Sequence, residues 1–368
     1  MGVRRRSLED LVSVSYLDRY RDERVLVTGH SGFKGSWLVT WLGMLGAEVY
    51  GISLPPETEP SLFEATGLST RMDSRFADIR QLSDIVDIMT EVAPRVVFHL
   101  AAQSLVRRSY RSPVDTFGTN LLGTVHVLEA VRGCKSVRSI VVVTSDKCYE
   151  NSGGKADRRE TDPLGGLDPY SASKGCAELA TSAYRASFFA SEEAPIVATV
   201  RAGNVIGGGD WAEDRLLPDV MNALAAGVPI PVRNPTYVRP WQHVIEPLRG
   251  YLMLGAGMLD GDRSLGEAWN LGPPAASAVS VGEIVRMAIA SWGSGTMDIR
   301  QDDASPPEAT TLRLDVSKAR DRLRFLPLLE LTEAVDLTVD WYRSFGEHAG
   351  DARSITERQI EQYTQRLL

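Results

Sequence analysis

Residues 24–53 read RVLVTGHSGFKGSWLVTWLGMLGAEVYGIS, and this stretch decides the fold. Its first apolar residues predict a short buried strand, and a glycine-rich turn follows them. Apolar residues then recur at helical spacing between 38 and 45, so we expect a helix from about Gly35 to Leu45 that ends at Gly46. A second apolar run closes the stretch. The order strand, turn, helix, strand is typical of a parallel sheet unit.

The same alternation continues along the chain. RVVFHLAAQ, SIVVVTSD and APIVATVRAGNVIGGG predict further buried strands, and helical patterns such as SPVDTFGTNLLGTVHVLEAVRG and PYSASKGCAELATSAYRASFF separate them. Strands that alternate with helices predict an α/β fold with a doubly wound parallel sheet of the Rossmann type. Ligands of such sheets bind at the carboxyl ends of the strands.

Composition restricts the class of protein. The chain has 368 residues, is 43% hydrophobic and carries a net charge of −8, which argues against nucleic acid as a main partner. Its apolar runs are shorter than the ~20 residues of a membrane helix, and its start resembles no secretory signal. Three scattered cysteines predict neither a disulfide framework nor a metal site. We therefore expect a cytoplasmic protein without membrane partners.

The glycine turn predicts a dinucleotide site. Gly29, Gly32 and Gly35 form G-x-x-G-x-x-G between a strand and a helix, where backbone can approach a pyrophosphate at a helix N-terminus. A plain tight turn is the alternative. Ser53 ends the second strand at the position where an acid would suit the ribose of NAD, and no Arg follows for the 2′-phosphate of NADP either. NAD is preferred to NADP as the expected cofactor. The expected cofactor contacts are Gly29, His30, Gly32, Phe33, Lys34, Gly35, Asp78, Ile79, Leu100, Ala101, Ala102, Gln103, Asn120, Tyr170 and Lys174.

Two of these assignments stay open. Asp78 suits either the adenine edge of the cofactor or an ordinary surface turn. His30 and Lys34 suit either the cofactor phosphates or a substrate sugar.

YSASK places Tyr170 and Lys174 four residues apart on one helix face. A lysine charge there is expected to lower the pKa of the phenol, so that Tyr170 can accept a proton while a hydride leaves the same carbon. Ser145, at the end of the preceding strand, completes the expected triad by orienting the substrate hydroxyl. The alternative is an exposed helix pair without a catalytic role.

Asp146 and Lys147 follow Ser145 directly. Only six of the 40 basic residues are lysine, so this chain uses arginine for most of its positive charges. A lysine within a motif is therefore expected to use what arginine lacks, a compact ammonium group with a tunable pKa. A salt bridge at a strand end is the alternative for both residues.

Longer stretches carry a family resemblance. The glycine turn, HLAAQ, the strand-end serine and Tyr-x-x-x-Lys resemble the extended short-chain dehydrogenase/reductase superfamily. VTGHSGFKGSW, PSLFE, TSDKCY, DPYSASKGCAEL, VRAGNVIGGGDWAEDRLLPD and RPWQHVIEPLRGYL are similar to the family of CDP-glucose 4,6-dehydratases, from about Val25 to the end. The resemblance implies that bound NAD oxidises the sugar at C4, that water is eliminated across C5 and C6, and that the hydride returns to C6.

The resemblance also implies residue roles. Tyr170 is the expected base for the C4 hydroxyl, with Lys174 supporting it. Asp146 is the expected acid for the C6 hydroxyl, and Lys147 takes the position of the C5 base, where related dTDP-glucose dehydratases carry an Asp-Glu pair. A lysine base must be neutral when it acts, so we expect its pKa to be lowered.

Substrate contacts are expected from arginine forks and strand-end polar groups. Arg215 and Arg239 suit a diphosphate, and Asn204 suits a sugar or phosphate. A surface position is the alternative for the two arginines. His243 is either a packed interior histidine or a ligand. The full expected set is Gln103, Asn204, Arg215, Arg239, His243 and Glu308.

These residues predict a nucleotide-sugar 4,6-dehydratase, with CDP-glucose as the implied substrate. A nucleotide-sugar 4-epimerase is one alternative, but it assigns no role to Asp146 and Lys147. A non-enzymatic NAD-sensing regulator is another, but it would not need the triad, which is present. We expect a dinucleotide-binding domain over 1–206, with an N-terminal extension over 1–20, and its return over 241–272. The substrate-binding region is expected over 207–240 and 273–368, and a homodimer through the helices around Thr116–Ala130 and Tyr170–Phe188.

Overall fold

The computed structural model describes residues 16–150, 157–274, 277–300, 313–347 and 351–368. Its strands are β1 (Arg24–Thr28), β2 (Glu48–Ser53), β3 (Asp73–Phe76), β4 (Val96–His99), β5 (Ser139–Val143), β6 (Ile196–Ala202), β7 (Asn204–Ile206), β8 (Ile230–Arg233), β9 (Val238–His243), β10 (Ala268–Leu271), β11 (Ala278–Ser280) and β12 (Met297–Arg300).

Seven of these strands form one parallel sheet in the order β10-β6-β5-β4-β1-β2-β3. Every residue of β4, β5 and β6 is buried, as expected for central strands covered on both faces. The chain crosses from β3 on one edge back to β4 beside β1, which creates the crevice where ligands of such sheets bind. The predicted fold class is confirmed.

Helices cover both faces of the sheet and form two hydrophobic clusters, one on each side. They are α1 (Phe33–Met44), α2 (Leu62–Ala65), α3 (Leu82–Val92), α4 (Val106–Arg111), α5 (Pro113–Phe117), α6 (Gly123–Gly133), α7 (Pro169–Phe188), α8 (Leu216–Ala226), α9 (Ile245–Leu259), α10 (Val281–Trp292), α11 (Ser317–Arg322), α12 (Leu331–Glu347) and α13 (Ala352–Leu367). A π-helical turn, Gly118–Leu122, joins α5 to α6, and the predicted helix over this stretch therefore contains one wider turn.

Among the described residues, two smaller sheets lie outside the central one. β7, β9 and β11 form a three-stranded sheet, and β8 pairs with β12. The chain returns to the central sheet through α9, which packs against β4, β5 and β6, and through β10 at the edge. The last helix, α13, contacts α1 as well as α12. The domain division stays a prediction.

The N-terminal extension is described only from Tyr16 onward. Residues 16–18 are helical, Leu17 and Tyr20 are buried, and the Tyr20 hydroxyl donates a hydrogen bond to the Leu252 carbonyl of α9 (2.6 Å). This part of the extension is therefore packed on the sheet-covering helix. Within the described ranges, the helices are too short or too polar to cross a membrane.

Candidate active site

The glycine turn lies between β1 and α1 and is built by close backbone approach. A Cβ on Gly35 would lie 2.0 Å from the Gly29 carbonyl oxygen, and one on Gly29, where φ is +77°, would lie 2.6 Å from the Ala101 nitrogen. A Cβ on Gly32 would meet only the Gly29 oxygen, at 3.5 Å. Gly29 and Gly35 are therefore required by packing, whereas Gly32 faces open space.

The start of α1 suits an anion. Gly32 is the N-cap and supplies no side-chain hydrogen bond, and the first turn carries no acidic residue. The N–H groups of a first helical turn have no partners within the helix, and together with the helix dipole they favour a phosphate. The cradle that glycine leaves here fits the pyrophosphate of a dinucleotide.

His30 and Lys34, for which the sequence leaves the same two alternatives open, lie in different surroundings. The His30 ring lies over Gly51, where a Cβ would come within 2.4 Å of the ring, and its Nε2 lies 2.7 Å from the Ser74 hydroxyl. The ring also packs edge-on against Phe63. Burial lowers the pKa of His30 to about 4, so the imidazole is neutral and supports the turn.

Lys34 lies among the charged groups of the catalytic centre. Burial, followed by the charges of Arg215 and Lys174, lowers its pKa to about 8, and the carboxylates of Asp146 and Asp210 oppose that change. Lys34 thus shares an electrostatic environment with the candidate acid and the candidate catalytic lysine.

The adenine-side candidates are partly engaged within the protein. Asp78 forms an ion pair with Arg80 (2.6 Å), which holds the pKa of its carboxyl below the usual value. Ile79 is buried against Gly123, where a Cβ would lie 2.5 Å from its side chain. Asp78 is therefore paired within the protein, next to an apolar residue that packs on α6, and its contact with the adenine edge stays a prediction.

The loop after β4 approaches the glycine turn. The Leu100 N–H donates to the Thr28 carbonyl (3.0 Å), and the Ala101 N–H donates to the Thr28 hydroxyl (3.2 Å). Ala102 continues this loop and is half-buried. The loop is thereby fixed beside the expected pyrophosphate position.

Gln103 and Asn120 hold the end of that loop. The Gln103 side chain donates to the Thr116 hydroxyl (2.9 Å) and accepts from the Leu105 N–H (2.6 Å). Asn120 donates to the Gln103 carbonyl (3.0 Å) and to the Ser173 hydroxyl (2.9 Å), and accepts from the Gln103 N–H (2.8 Å). Both side chains therefore connect the loop to the helices, and their predicted ligand contacts stay predictions.

Tyr170 and Lys174 lie on the buried face of α7. Asp168 caps this helix by accepting a hydrogen bond from the Ser171 N–H (2.9 Å). The Lys174 ammonium donates to the carbonyl of Val143, the last residue of β5 (3.3 Å), and burial lowers its pKa to about 8. The helix face predicted to be catalytic thus meets the end of the strand that precedes Ser145.

The surroundings of Tyr170 raise the pKa of its phenol instead of lowering it. Burial raises the pKa of Tyr170 to about 12, the hydrogen bond with Ser145 opposes this change, and the charge of Asp146 adds to it. The prediction of a lowered phenol pKa is therefore wrong for the chain alone, because desolvation of the phenolate outweighs the neighbouring positive charge.

Ser145, Asp146 and Lys147 form the start of a short 3₁₀ turn after β5. The Ser145 hydroxyl donates to the Asp146 carboxylate (3.0 Å) and accepts from the Lys147 N–H (3.2 Å). Burial raises the pKa of Asp146, while the charge of Lys147 opposes that rise. A buried carboxyl whose pKa is raised suits a group that donates a proton.

The predicted substrate contacts converge from a neighbouring sheet. A Cβ on Gly203 would lie 3.2 Å from the Asp146 carboxylate, so the β6–β7 junction touches the candidate acid directly. Asn204 follows this glycine and pairs with β9, which carries Arg239. The charge of Arg239 also acts on the pKa of Asp146. Asn204 and Arg239 therefore lie near the strand-end carboxyl.

The other substrate candidates differ in their surroundings. Arg215 pairs with Asp210 (3.0 Å) and donates to the Ser104 hydroxyl (2.9 Å), and its charge acts on both Lys34 and Tyr170. His243 is buried edge-on against Trp37, and burial lowers its pKa to about 3, as expected for a packed interior histidine. Glu308 lies outside the described residues.

Sequence reasoning missed a buried group beside the triad. Glu178, one helical turn after Lys174, forms an ion pair with Arg201 of β6 (2.8 Å). Tyr149, two residues after Lys147, accepts a hydrogen bond from the same guanidinium (2.7 Å). The available signal was the spacing of Tyr170, Lys174 and Glu178, which places all three on one helix face.

The protein has a seven-stranded parallel sheet, a glycine turn at the N-terminus of a helix, a serine after β5, and a tyrosine and a lysine on the facing side of α7. Together these features define an extended short-chain dehydrogenase/reductase. Comparison with known proteins narrows this class. The family model described as GDP-mannose 4,6 dehydratase matches residues 26–338. A CDP-glucose 4,6-dehydratase of Salmonella typhimurium is 43% identical over 94% of this chain and 97% of its own length. The chain belongs to the family of nucleotide-sugar 4,6-dehydratases.

Solved structures of related proteins share the fold and contain ligands. MoeE5, in complex with UDP-glucose and NAD, is 30% identical with a TM-score of 0.72, and the match covers 87% of this chain and 98% of that one. The UDP-glucose 4-epimerase of Thermus thermophilus, in complex with NAD, is 25% identical with a TM-score of 0.73, over 87% and 99% of the two chains. Because epimerases and dehydratases share this fold, the fold alone does not distinguish the two reactions, and the side chains of the site decide between them.

Proposed function

We propose that the protein is a CDP-glucose 4,6-dehydratase that holds NAD and produces CDP-4-keto-6-deoxyglucose. The observation that carries this proposal is Asp146, a buried carboxyl with a raised pKa beside Lys147 and the Tyr170–Lys174 helix. A dehydration needs an acid that protonates the leaving C6 hydroxyl, whereas an epimerisation at C4 does not. The choice of CDP among nucleotides is supported by the Salmonella typhimurium relative.

The turn at Gly29, Gly32 and Gly35 would hold the pyrophosphate of NAD, with Asn120 fixing the loop on the opposite side. Structures of related proteins with NAD bound support this assignment. When bound, NAD would accept a hydride from C4 of the sugar, supply a positive charge near the phenol, and return the hydride to C6.

The first proton transfer is assigned to Tyr170. Its phenolate would take the proton of the C4 hydroxyl as the C4–H bond breaks, while the Ser145 hydroxyl orients the same oxygen. Since burial raises the pKa of this phenol to about 12, a neighbouring positive charge is needed to favour the phenolate. Lys174, held at the end of β5, is placed in the same buried environment.

The elimination is assigned to Lys147 and Asp146. The C4 ketone acidifies the C5 proton, which the neutral amine of Lys147 would remove. Asp146 would protonate the C6 hydroxyl, so that water leaves and a C5–C6 double bond forms. Return of the hydride to C6 and of a proton to C5 gives the 4-keto-6-deoxy sugar, and no net oxidant is consumed.

The substrate diphosphate would be bound by Arg239 and Arg215, with Asn204 at the sugar. Arg239 is buried near the carboxyl end of β5, and a guanidinium matches phosphate oxygens by forked hydrogen bonds. This arrangement would place C6 of the sugar toward Asp146.

We also propose a cytoplasmic homodimer. Val114, Leu122 and Leu179 are 83%, 48% and 59% exposed on the α5–α6 segment and α7, where large apolar side chains in water indicate a covered surface. These are the helices predicted to pair across a two-fold axis. The three cysteines of the chain are unpaired, which suits a reducing compartment.

The test is incubation of the purified protein with CDP-, UDP-, dTDP- and GDP-glucose. We expect CDP-glucose to be converted to a product that has lost one water and carries a C4 ketone, measured by mass spectrometry and NMR. A product epimerised at C4 without loss of water would contradict the proposal and support the epimerase. Preference for another nucleotide would leave the dehydratase standing and correct the substrate.

A further inference from the structure

A buried ion pair lies behind the catalytic centre. Glu178 of α7 and Arg201 of β6 are 2% and 3% exposed, and their charged groups are 2.8 Å apart. The remaining Glu178 oxygen capacity is used by the hydroxyls of Thr144 (2.5 Å) and Thr199 (2.7 Å). A buried ion pair is stable only when such additional hydrogen bonds satisfy it, and removing one partner is strongly destabilising.

The same guanidinium continues to Tyr149. Arg201 donates to the Tyr149 hydroxyl (2.7 Å) and lies over its ring, 4.8 Å from the centroid. The Tyr149 hydroxyl in turn donates to the Asn270 side chain of β10 (2.6 Å). Asn270 is also tied by its own amide to the carbonyls of Arg158 and Asp315.

Thr144 and Tyr149 flank the segment that carries the proposed acid and base. Thr144 directly precedes Ser145, and Tyr149 follows Lys147 by two residues. Both ends of the segment are therefore anchored to one ion pair, and that pair begins on the helix that carries Tyr170 and Lys174.

We propose that Glu178, Arg201 and Tyr149 are positioning residues that hold the segment Ser145–Cys148 in register with the Tyr170–Lys174 face of α7. This inference rests on the proposed function, because it concerns the relative placement of the groups that oxidise C4 and those that eliminate water. It assigns to the buried pair a catalytic consequence beyond stability.

The two anchors act on different steps. Tyr149 holds the end of the segment nearest to Lys147, so its loss should displace the elimination groups first. Thr144 holds the end nearest to Ser145, so its loss should disturb the C4 oxidation. A displacement of ~1 Å in a positioned catalytic group costs on the order of 10²-fold in rate.

The test uses Tyr149→Phe, which keeps the ring against Arg201 and leaves the Glu178–Arg201 pair intact. We expect kcat for water loss to fall ~10- to 100-fold with KM within about twofold, because the substrate contacts are unchanged. C4 oxidation should persist, so substrate should drive enzyme-bound NAD toward its reduced form, visible as nicotinamide absorbance.

The matched control is Tyr363→Phe, which also deletes a buried, hydrogen-bonded phenol hydroxyl, here bound to Glu246 (2.6 Å) away from the described catalytic groups. It should lower the thermal unfolding midpoint without accumulation of reduced cofactor. Equal slowing of both steps in Tyr149→Phe, or behaviour identical to Tyr363→Phe, would overturn the inference.

Thr144→Val and Thr144→Ser give an independent test if Tyr149→Phe does not fold. The valine removes the hydroxyl bound to Glu178 and should slow C4 oxidation, whereas the serine keeps the hydroxyl and should restore it. Equal activity of the two variants would refute the role of the pair. Wild-type protein that forms no 4-keto-6-deoxy product would instead refute the proposed function.

Discussion

Substitution of the turn glycines by alanine separates two roles of the motif, close backbone packing at Gly35 and pyrophosphate binding at Gly32. At Gly35 an alanine Cβ would lie 2.0 Å from the Gly29 carbonyl oxygen and 2.7 Å from the His30 Cα, both of which are backbone atoms. The turn would have to open by about 1.4 Å before the first contact became ordinary. Overpacking of this kind costs ~1–3 kcal/mol.

Gly35 also lies within α1, where alanine by itself favours the helix by about 1 kcal/mol over glycine. Because the clash is with backbone that cannot rotate away, the steric cost should exceed this gain. We therefore expect Gly35→Ala to lower the thermal midpoint of the nucleotide-free protein by ~2–6 °C.

Gly32→Ala is the matched control. Its φ of −78° and ψ of 168° are accessible to alanine, and the added methyl would meet only one atom, at 3.5 Å. The loss of a preferred N-cap residue costs ~1 kcal/mol or less. Its methyl group would project where the pyrophosphate is proposed to bind, so the Kd for NAD should rise at least ~10-fold, which is about 1.4 kcal/mol.

The assays are thermal unfolding of protein stripped of nucleotide and calorimetric titration with NAD. An unchanged midpoint in Gly35→Ala would refute the close backbone approach. Wild-type NAD affinity in Gly32→Ala would show that the pyrophosphate does not lie over this turn.

Three further outcomes follow from the site. Lys147→Met should permit substrate-driven reduction of bound NAD without dehydration, whereas Tyr170→Phe should block the reduction itself. The rate of the affected step should fall ~10²–10⁴-fold in each variant. Near-normal dehydration by Lys147→Met would show that another residue is the C5 base. Leu179→Glu should give a monomer by light scattering, whereas Val228→Glu, at a similarly exposed apolar residue outside these helices, should remain dimeric. Burial lowers the pKa of Lys34 from 10.5 to about 8, so between these pH values the unfolded state binds more protons than the folded state. The free energy of unfolding of the wild type should therefore rise relative to that of Lys34→Met as the pH rises from about 8 to 10.5. A difference between the two proteins that does not change with pH in denaturant titrations would contradict the lowered pKa.

Local patterns were sufficient for the sheet and for the turn. Buried strands are recognised in the sequence as apolar runs. Glycines at fixed spacing between a strand and a helix are typical of a dinucleotide-binding turn. The pairing of Tyr170 with Lys174 follows from helical geometry alone, and the structure has both side chains on the buried face of α7.

Direction and environment could not be predicted in the same way. His30 and Lys34 are four residues apart in one turn, yet His30 packs toward β3 while Lys34 lies among the catalytic charges. The pKa of Tyr170 depends on burial by distant segments, and the Glu178–Arg201 pair joins a helix to a strand. These features arise from tertiary contacts, which spacing along the chain does not contain.

Lysine is rare in this chain and is concentrated at the candidate active site. Three of the six lysines belong to the candidate site: Lys147 follows β5, Lys34 lies in the first turn of α1, and Lys174 lies on α7. Burial lowers the pKa of Lys34 and of Lys174 to about 8. An arginine in either place would remain charged throughout the range in which proteins work, and its larger fork would need more hydrogen-bond acceptors in a buried space. A chain that uses arginine for most of its positive charges therefore carries lysine at Lys34 and Lys174, where burial favours the neutral amine over the ammonium.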